Sequence, residues 1–131
     1  EIARRYEEIF KSWPELELFT PTATVASSRH LFVLKLRGSL AVHRQEIFRS
    51  MRKRGIGVQV HYIPVYWHPL YEKLGYKKGL CPKAEDFYQR ILSIPIYPSL
   101  TKAQQDHVID TLRGVLKEIC VAAAPDQGRR S

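Results

Sequence analysis

The segment Gly55 to Tyr71, GIGVQVHYIPVYWHPLY, crowds His61, Tyr62, Tyr66, Trp67, His68 and Tyr71 into one short stretch. Imidazole and phenol groups donate and accept hydrogen bonds, and all of these side chains present flat rings. Placed at a strand terminus, they suit recognition of a polar ring or a phosphate. Gly55 and Gly57 permit close backbone approach at the start of the segment. The same residues have a second, purely structural use. The aromatics can pack a loop over the core, with His61 bonded to a backbone carbonyl.

Other chemistries lack their residues. His61, His68 and Cys81 are spaced too loosely for zinc, and no second close-set pair of ligands accompanies them. Ser50-Met51-Arg52-Lys53 has the spacing of a serine-nucleophile motif, but its companion motifs are missing and Met51 belongs to the core side of a helix. No GxSxG, Walker A, HExxH or GxGxxG pattern occurs. Cys81 and Cys120 have neither a CxxC neighbour nor a histidine at zinc spacing, and read as two reduced thiols. Spacing alone leaves a Cys81–Cys120 disulfide open.

Several elements must position the aromatic segment. Ile2, Tyr6, Ile9, Phe10 and Trp13 share a helical face, and Pro14 ends that helix. An irregular stretch, Leu18 to Ser28, follows. His30 to Arg37 alternates like a strand, with Phe32, Leu34 and Leu36 on one side. After Gly38, Ser39 is placed to cap a helix that runs to about Arg54 and buries Ile47, Phe48 and Met51. Gly55 stops it. Ile56 to Tyr62 reads as a second strand, with Ile56, Val58, Val60 and Tyr62 on one face and Gly57, Gln59 and His61 on the other. Pro64 limits its length. A loop then leads to a helix opening at Pro82, with Ala84, Phe87, Tyr88 and Ile91 inward. Ser93-Ile94-Pro95 suits a short edge strand. Thr101 to Gln104 forms a capping box for a last helix striped by Val108, Leu112, Val115, Leu116 and Ile119. The expected fold is a small α/β (more finely, α+β) sandwich, two to three short strands covered by helices, over residues 1–120. Residues 121–131 read as a flexible tail.

Composition agrees with one globular domain. The chain has 131 residues, 44% of them hydrophobic and 26% charged, which excludes the disordered regime. No apolar run reaches the roughly 20 residues of a membrane helix. No signal-peptide pattern opens the chain, and its start at Glu1 on a helix-like stretch reads as a piece of something longer. The net charge of +8 suits an anionic partner. Acidic residues separate most of the basic clusters, however, and no aromatic-and-basic RNA signature is present. The expectation is no nucleic acid and no membrane.

The order HLFVLKL, RQEIFRSMRKR and GIGVQVHYIPVYWHPLY, followed by LGYKKG, PKAEDFYQRILSIPIYPSLT and QQDHVIDTL, resembles the DegT/StrS family of sugar aminotransferases. The resemblance spans about Ile2 to Leu116. Its specificity lies in the combination of VHYxP, PxY, GY, AE and S-[LI]-P-x-x-P-x-L-T. It implies the small C-terminal domain of a type I pyridoxal-phosphate fold, most similar to enzymes that act on UDP-linked 4-keto-6-deoxy amino sugars. The cofactor would be pyridoxal phosphate, held with its aldimine lysine by an N-terminal domain outside this chain. The partners would be a sugar nucleotide, an amino donor such as glutamate, and a second subunit in a homodimer, all in the cytoplasm. By the same resemblance His61 and Tyr62 bind substrate, Trp67 and His68 tune its choice, and His30 is structural. No residue here would be catalytic, bind the cofactor or ligate a metal, so the chain alone would be inactive. A stand-alone interaction or regulatory module is the alternative.

Overall fold

A computed structural model describes residues 1–19, 24–25 and 27–123. The first helix, α1 (Ile2–Phe10), buries Tyr6 and Phe10. Strand β1 (Leu16–Leu18) follows, then β2 (Phe32–Leu36). A 3-10 turn over Gly38–His43 leads into α2 (Arg44–Lys53). A second 3-10 turn (Val65–Trp67) and the short α3 (Pro69–Lys73) precede α4 (Pro82–Arg90). The last two elements are β3 (Ile91–Ile94) and the long α5 (Lys102–Ala123). Among the described residues, three strands and five α-helices match the expected α+β sandwich. Helix α5 runs through Ala123; residues 124–131 lie outside the described residues.

The sheet is antiparallel in the order β1-β2-β3. Alternation on β2 does what its period demands: Phe32, Leu34 and Leu36 are buried while Val33 and Lys35 are half-buried. Leu16 pairs with Leu36 and Leu34 with Leu92, so the apolar rows align across strands. On the other face, Glu17 pairs directly with Lys35 and their side chains form an ion pair at 3.3 Å. Strand β1 was not expected. Three residues are too few to show a period, and only pairing with β2 makes Leu16–Leu18 a strand. Of the stretch read as irregular, residues 20–23 and 26 lie outside the described residues.

Two helices close the core from the C-terminal side. Thr101 and Gln104 form the expected capping box: the Thr101 N–H donates to Gln104 Oε1 at 2.9 Å, and the Gln104 N–H to Thr101 Oγ1 at 3.2 Å. All five stripe residues of α5 are buried against Ile47 and Met51 of α2 and the sheet. Phe48 is only partly buried, as is Phe87, and Ala84 of α4 is exposed. The expected inward face of α4 therefore contributes no fully buried residue within the helix; only Ile91, already in β3, is buried. Ser39 makes no capping bond, because a 3-10 turn occupies the place of the first helical turns. On α1, Tyr6 stacks near Phe10 and Phe32, with centroids 5.5 and 5.0 Å away. The Tyr6 hydroxyl donates to the Pro95 carbonyl at 3.1 Å, and burial holds its pKa above the usual phenol range.

Apolar burial carries this fold. A buried Leu, Ile or Met side chain contributes about 1.5–3 kcal/mol, whereas an exposed ion pair such as Arg54–Glu118 contributes about 0–1 kcal/mol. One buried polar group is placed as carefully as the core. Gln105, 3% exposed, donates from Nε2 to the Ile2 carbonyl at 2.8 Å and accepts from Arg5 at 3.0 Å. It ties α1 to α5. Gln105→Ala is expected to lower the free energy of unfolding by about 1–3 kcal/mol, since buried partners lose their bonds. Glu118→Ala should change it by about 1 kcal/mol or less. Urea denaturation of both variants decides between the two scales.

Candidate functional site

Helix α2 ends in a Schellman motif. The Gly55 N–H donates to the Arg52 carbonyl and the Ile56 N–H to the Met51 carbonyl, both at 3.0 Å. Gly55 has φ +82°, the left-handed region this motif needs and side chains disfavour. The chain emerges with Ile56 and Val58 in the core. It does not become the full strand expected over Ile56–Tyr62. The Val58 N–H bonds to the Ile56 carbonyl at 2.9 Å, a tight turn in place of a ladder. Only Gln59 bridges to β3, opposite Ser93. In that antiparallel register Gly57 falls opposite Pro95, which has no N–H to give.

The bridge is reciprocal: Gln59 N–H to Ser93 carbonyl at 3.0 Å, and Ser93 N–H to Gln59 carbonyl at 2.8 Å. Two residues on, His61 lies on the same side of the chain, and its Nδ1 sits 2.9 Å from Ser93 Oγ. The ring is thus held by a buried hydroxyl, not by the backbone carbonyl of the structural alternative.

His61, Gln59 and Ser93 form one wall of an open cleft of about 770 Å³. The first turns of α5 also line it, through Gln104 and His107, one turn apart, and the adjacent Val108. The residues after β3, including Tyr97, and His30 with Leu31 line it as well. Among the described residues, no lysine, arginine, aspartate or glutamate lines this cleft. Pyridoxal phosphate needs an amine for its aldehyde and a charged partner for its pyridine nitrogen. The cleft residues of this chain supply neither, and they do not fit the cofactor. No cluster of histidine, cysteine, aspartate and glutamate suited to a metal occurs among the described residues. Both cysteines are free and exposed.

The other sequence-derived positions lie elsewhere. Tyr62 is 69% exposed, off the apolar row expected for it, and does not line the cleft. Its ring meets His61 edge-on at 4.7 Å, across a cis peptide bond. Trp67 ends a short 3-10 turn and His68 joins it to α3, where a loop was expected, and neither lines the cleft. Trp67 packs edge-on against Tyr88 at 5.5 Å, under the Lys78 ammonium at 4.7 Å. The His68 carbonyl accepts from Tyr71 and Glu72 and so starts α3. Two basic residues at the ends of α2 are engaged away from the cleft: Arg54, its C-cap, on Glu118, and Arg44 on the Gln89 carbonyl and the Tyr88 ring. Sequence reasoning gave Ser93 and Gln104 structural places only, in an edge strand and a capping box, and passed over His107. The spacing of the last two on α5 was a usable signal; nothing in the sequence linked Ser93 to His61.

A polar knot holds the segment between the cleft and α4. The Tyr66 hydroxyl and the Gly79 N–H both donate to Glu85 Oε1 at 2.6 Å. The Cys81 N–H donates to the Tyr66 hydroxyl at 3.2 Å. The Tyr66 bond, more than any other contact, lowers the pKa of Glu85 below the usual carboxylate range. The buried Trp67 indole adds a weaker pull without the geometry of a hydrogen bond. Partial burial, then the bond to Glu85, pushes Tyr66 up to about 12.

Residues 1–113 match the DegT/DnrJ/EryC1/StrS aminotransferase family. The chain is 38% identical over 122 residues to the spore coat polysaccharide biosynthesis protein SpsC of Bacillus subtilis, covering 89% of this chain and 31% of that protein. It is 34% identical over 119 residues to the UDP-4-amino-4,6-dideoxy-N-acetyl-beta-L-altrosamine transaminase of Campylobacter jejuni, covering 91% and 31%. A Streptococcus pneumoniae protein described as a sugar aminotransferase, solved in its PLP form, superposes with a TM-score of 0.83 at 29% identity, over 90% of this chain and 30% of that one. The chain therefore spans about 30% of the length of the relatives it matches.

The knot makes a pH-dependent prediction. Glu85 has a depressed pKa, so its contribution is present above the ordinary carboxylate value and is lost as pH falls through the folded value. Tyr66 has a raised pKa, so its contribution is full below 10 and is lost as pH rises through about 12. Tyr66→Phe should move the Glu85 titration upward, toward an ordinary glutamate, in carboxyl-detected NMR. An unmoved Glu85 would mean that other donors hold it.

Proposed function

We propose, from the premise that this chain belongs to the DegT/DnrJ/EryC1/StrS aminotransferase family, that it is the C-terminal domain of an enzyme that transfers an amino group to a nucleotide-linked keto-deoxy sugar. The observation that carries this reading is the match over residues 1–113, together with an uncharged cleft walled by a His61 ring that is itself hydrogen-bonded. Such a cleft can orient a polar ring and exclude water, but it offers no group to transfer an amine. Pyridoxal phosphate would be held by the remaining two thirds of the polypeptide and would supply the electron sink.

In this reading His61 recognises the sugar nucleotide, and Tyr62, exposed beside it, meets the substrate or the surface that covers it. Trp67 and His68 act at one remove, by fixing the segment that follows. The product would feed surface-glycan assembly, with glutamate as amino donor, in a cytoplasmic homodimer. No helix among the described residues is long and apolar enough to cross a membrane. A match along most of the chain to an aminotransferase family disfavours the alternative of a stand-alone interaction module.

Two measurements test the proposal. The 131-residue chain, mixed with pyridoxal phosphate, should develop no aldimine absorbance, whereas the full-length polypeptide should. In that polypeptide, His61→Ala should lower kcat/KM for the UDP-linked keto sugar roughly 10-fold, the scale of one lost substrate hydrogen bond. The half-reaction with glutamate should be unchanged. An equal loss in both half-reactions, or in neither, would remove His61 from sugar recognition.

A further inference from the structure

We infer that Ser93 is the positioning residue for His61: its hydroxyl fixes the imidazole on the cleft wall and commits Nδ1, leaving Nε2 for the ligand. The inference rests on the reading that His61 meets the sugar nucleotide.

Ser93 is out of character for its place. Strand β3 is buried at all four positions, and its other residues are Ile91, Leu92 and Ile94. Ser93 is only 4% exposed. Its backbone N–H and C=O are both spent on Gln59, and on the β2 side it only faces Val33 in register. The fold makes no demand on the hydroxyl that alanine would not meet by packing alone. A buried hydroxyl needs a partner, and the one it has is His61 Nδ1, at 2.9 Å. Among the described residues the ring has no other hydrogen-bond partner.

The geometry makes this bond a good anchor. The reciprocal bridge between Gln59 and Ser93 sets the distance between the two chains just before His61. His61 itself lies outside any strand, but the hydroxyl that holds its ring belongs to one, β3, and groups on strands are held more precisely than groups on loops. With Nδ1 engaged, the tautomer of a neutral imidazole follows the direction of that bond. If the hydroxyl donates, Nε2 carries the proton and can donate to a carbonyl or phosphate oxygen; if it accepts, Nε2 is an acceptor. Either way the ligand meets a ring of defined orientation and polarity.

The test uses the full-length polypeptide labelled with 15N-histidine. In the wild type, His61 should show two well-separated ring-nitrogen shifts, the signature of one tautomer. Ser93→Ala should draw them toward the averaged values of a free imidazole, and Ser93→Thr, which keeps the hydroxyl, should restore them. Should the alanine variant fail to fold, Ser93→Cys keeps the shape with a much weaker hydrogen bond and should give the same shift. Ring-nitrogen signals that are identical in wild type and in the folded Ala or Cys variant would overturn the inference. Calorimetric titration with uridine diphosphate reads the consequence. Ser93→Ala should weaken binding about 3- to 10-fold, the scale of one hydrogen bond. The double variant should bind no more weakly than His61→Ala alone. Unchanged affinity in His61→Ala would instead overturn the role of His61 in recognition, and the nitrogen shifts would still decide the positioning claim.

Discussion

Backbone pairing at the outer edge of β3 is the constraint on which the cleft side of this domain depends. A strand buried at every position cannot leave its N–H and C=O groups unmatched, because each would carry the full cost of desolvation. Strand β2 satisfies one edge. On the other, Ser93 exchanges both of its backbone groups with Gln59. That single pair fastens the segment after α2 to the sheet and places His61 beside the Ser93 hydroxyl. Pro95, opposite Gly57, blocks pairing on the side of that rung that precedes Gln59, and the residues there line the cleft that α5 also borders. The cleft is the consequence of a ladder stopped after one rung.

The rest of the scaffold makes that edge rigid. Helix α5 begins at a capping box and lays a continuous apolar stripe on α2 and the sheet. Gln105 fastens α1 to it, and Tyr6 reaches from α1 to the carbonyl of Pro95, just past the end of β3. Elements from both ends of the sequence thus brace the same few residues. A hydrogen bond from a buried serine to a histidine is useful for recognition only when the serine itself cannot move.

The segment from Val65 to Arg90 is built on other terms. Its helices α3 and α4 bury no residue completely. Polar and aromatic contacts hold it: Tyr66 and Gly79 on Glu85, Trp67 against Tyr88, Tyr71 against Tyr76. Leu70, Leu74, Tyr76 and Leu80 remain exposed along it. Such a segment has less apolar burial to lose and can adjust more readily than the sheet.

Much of this protein follows from periodicity and punctuation alone. Alternation marked β2, the helical stripe marked α5, Thr101 and Gln104 marked its start, and Gly55 the end of α2. These signals are local: each depends on residues within a turn or two, so they can be read without the fold. The resemblance carried by VHYxP and the later motifs pointed to the family for the same reason, since it is a matter of residues in order. The tertiary structure decided the rest. Leu16–Leu18 is a strand only because β2 accepts it. Ile56–Tyr62 looks like a strand but forms one bridge, and at its Gly57 end the partner position is Pro95, which has no N–H. Tyr62, expected on one face with Ile56, Val58 and Val60, is exposed, and Trp67 and His68 lie away from the cleft. The joining of His61 to Ser93, 32 residues apart in the chain, depends on a register between distant segments. No local pattern encodes such a register, because it is set by which buried backbone groups must find one another when the chain closes.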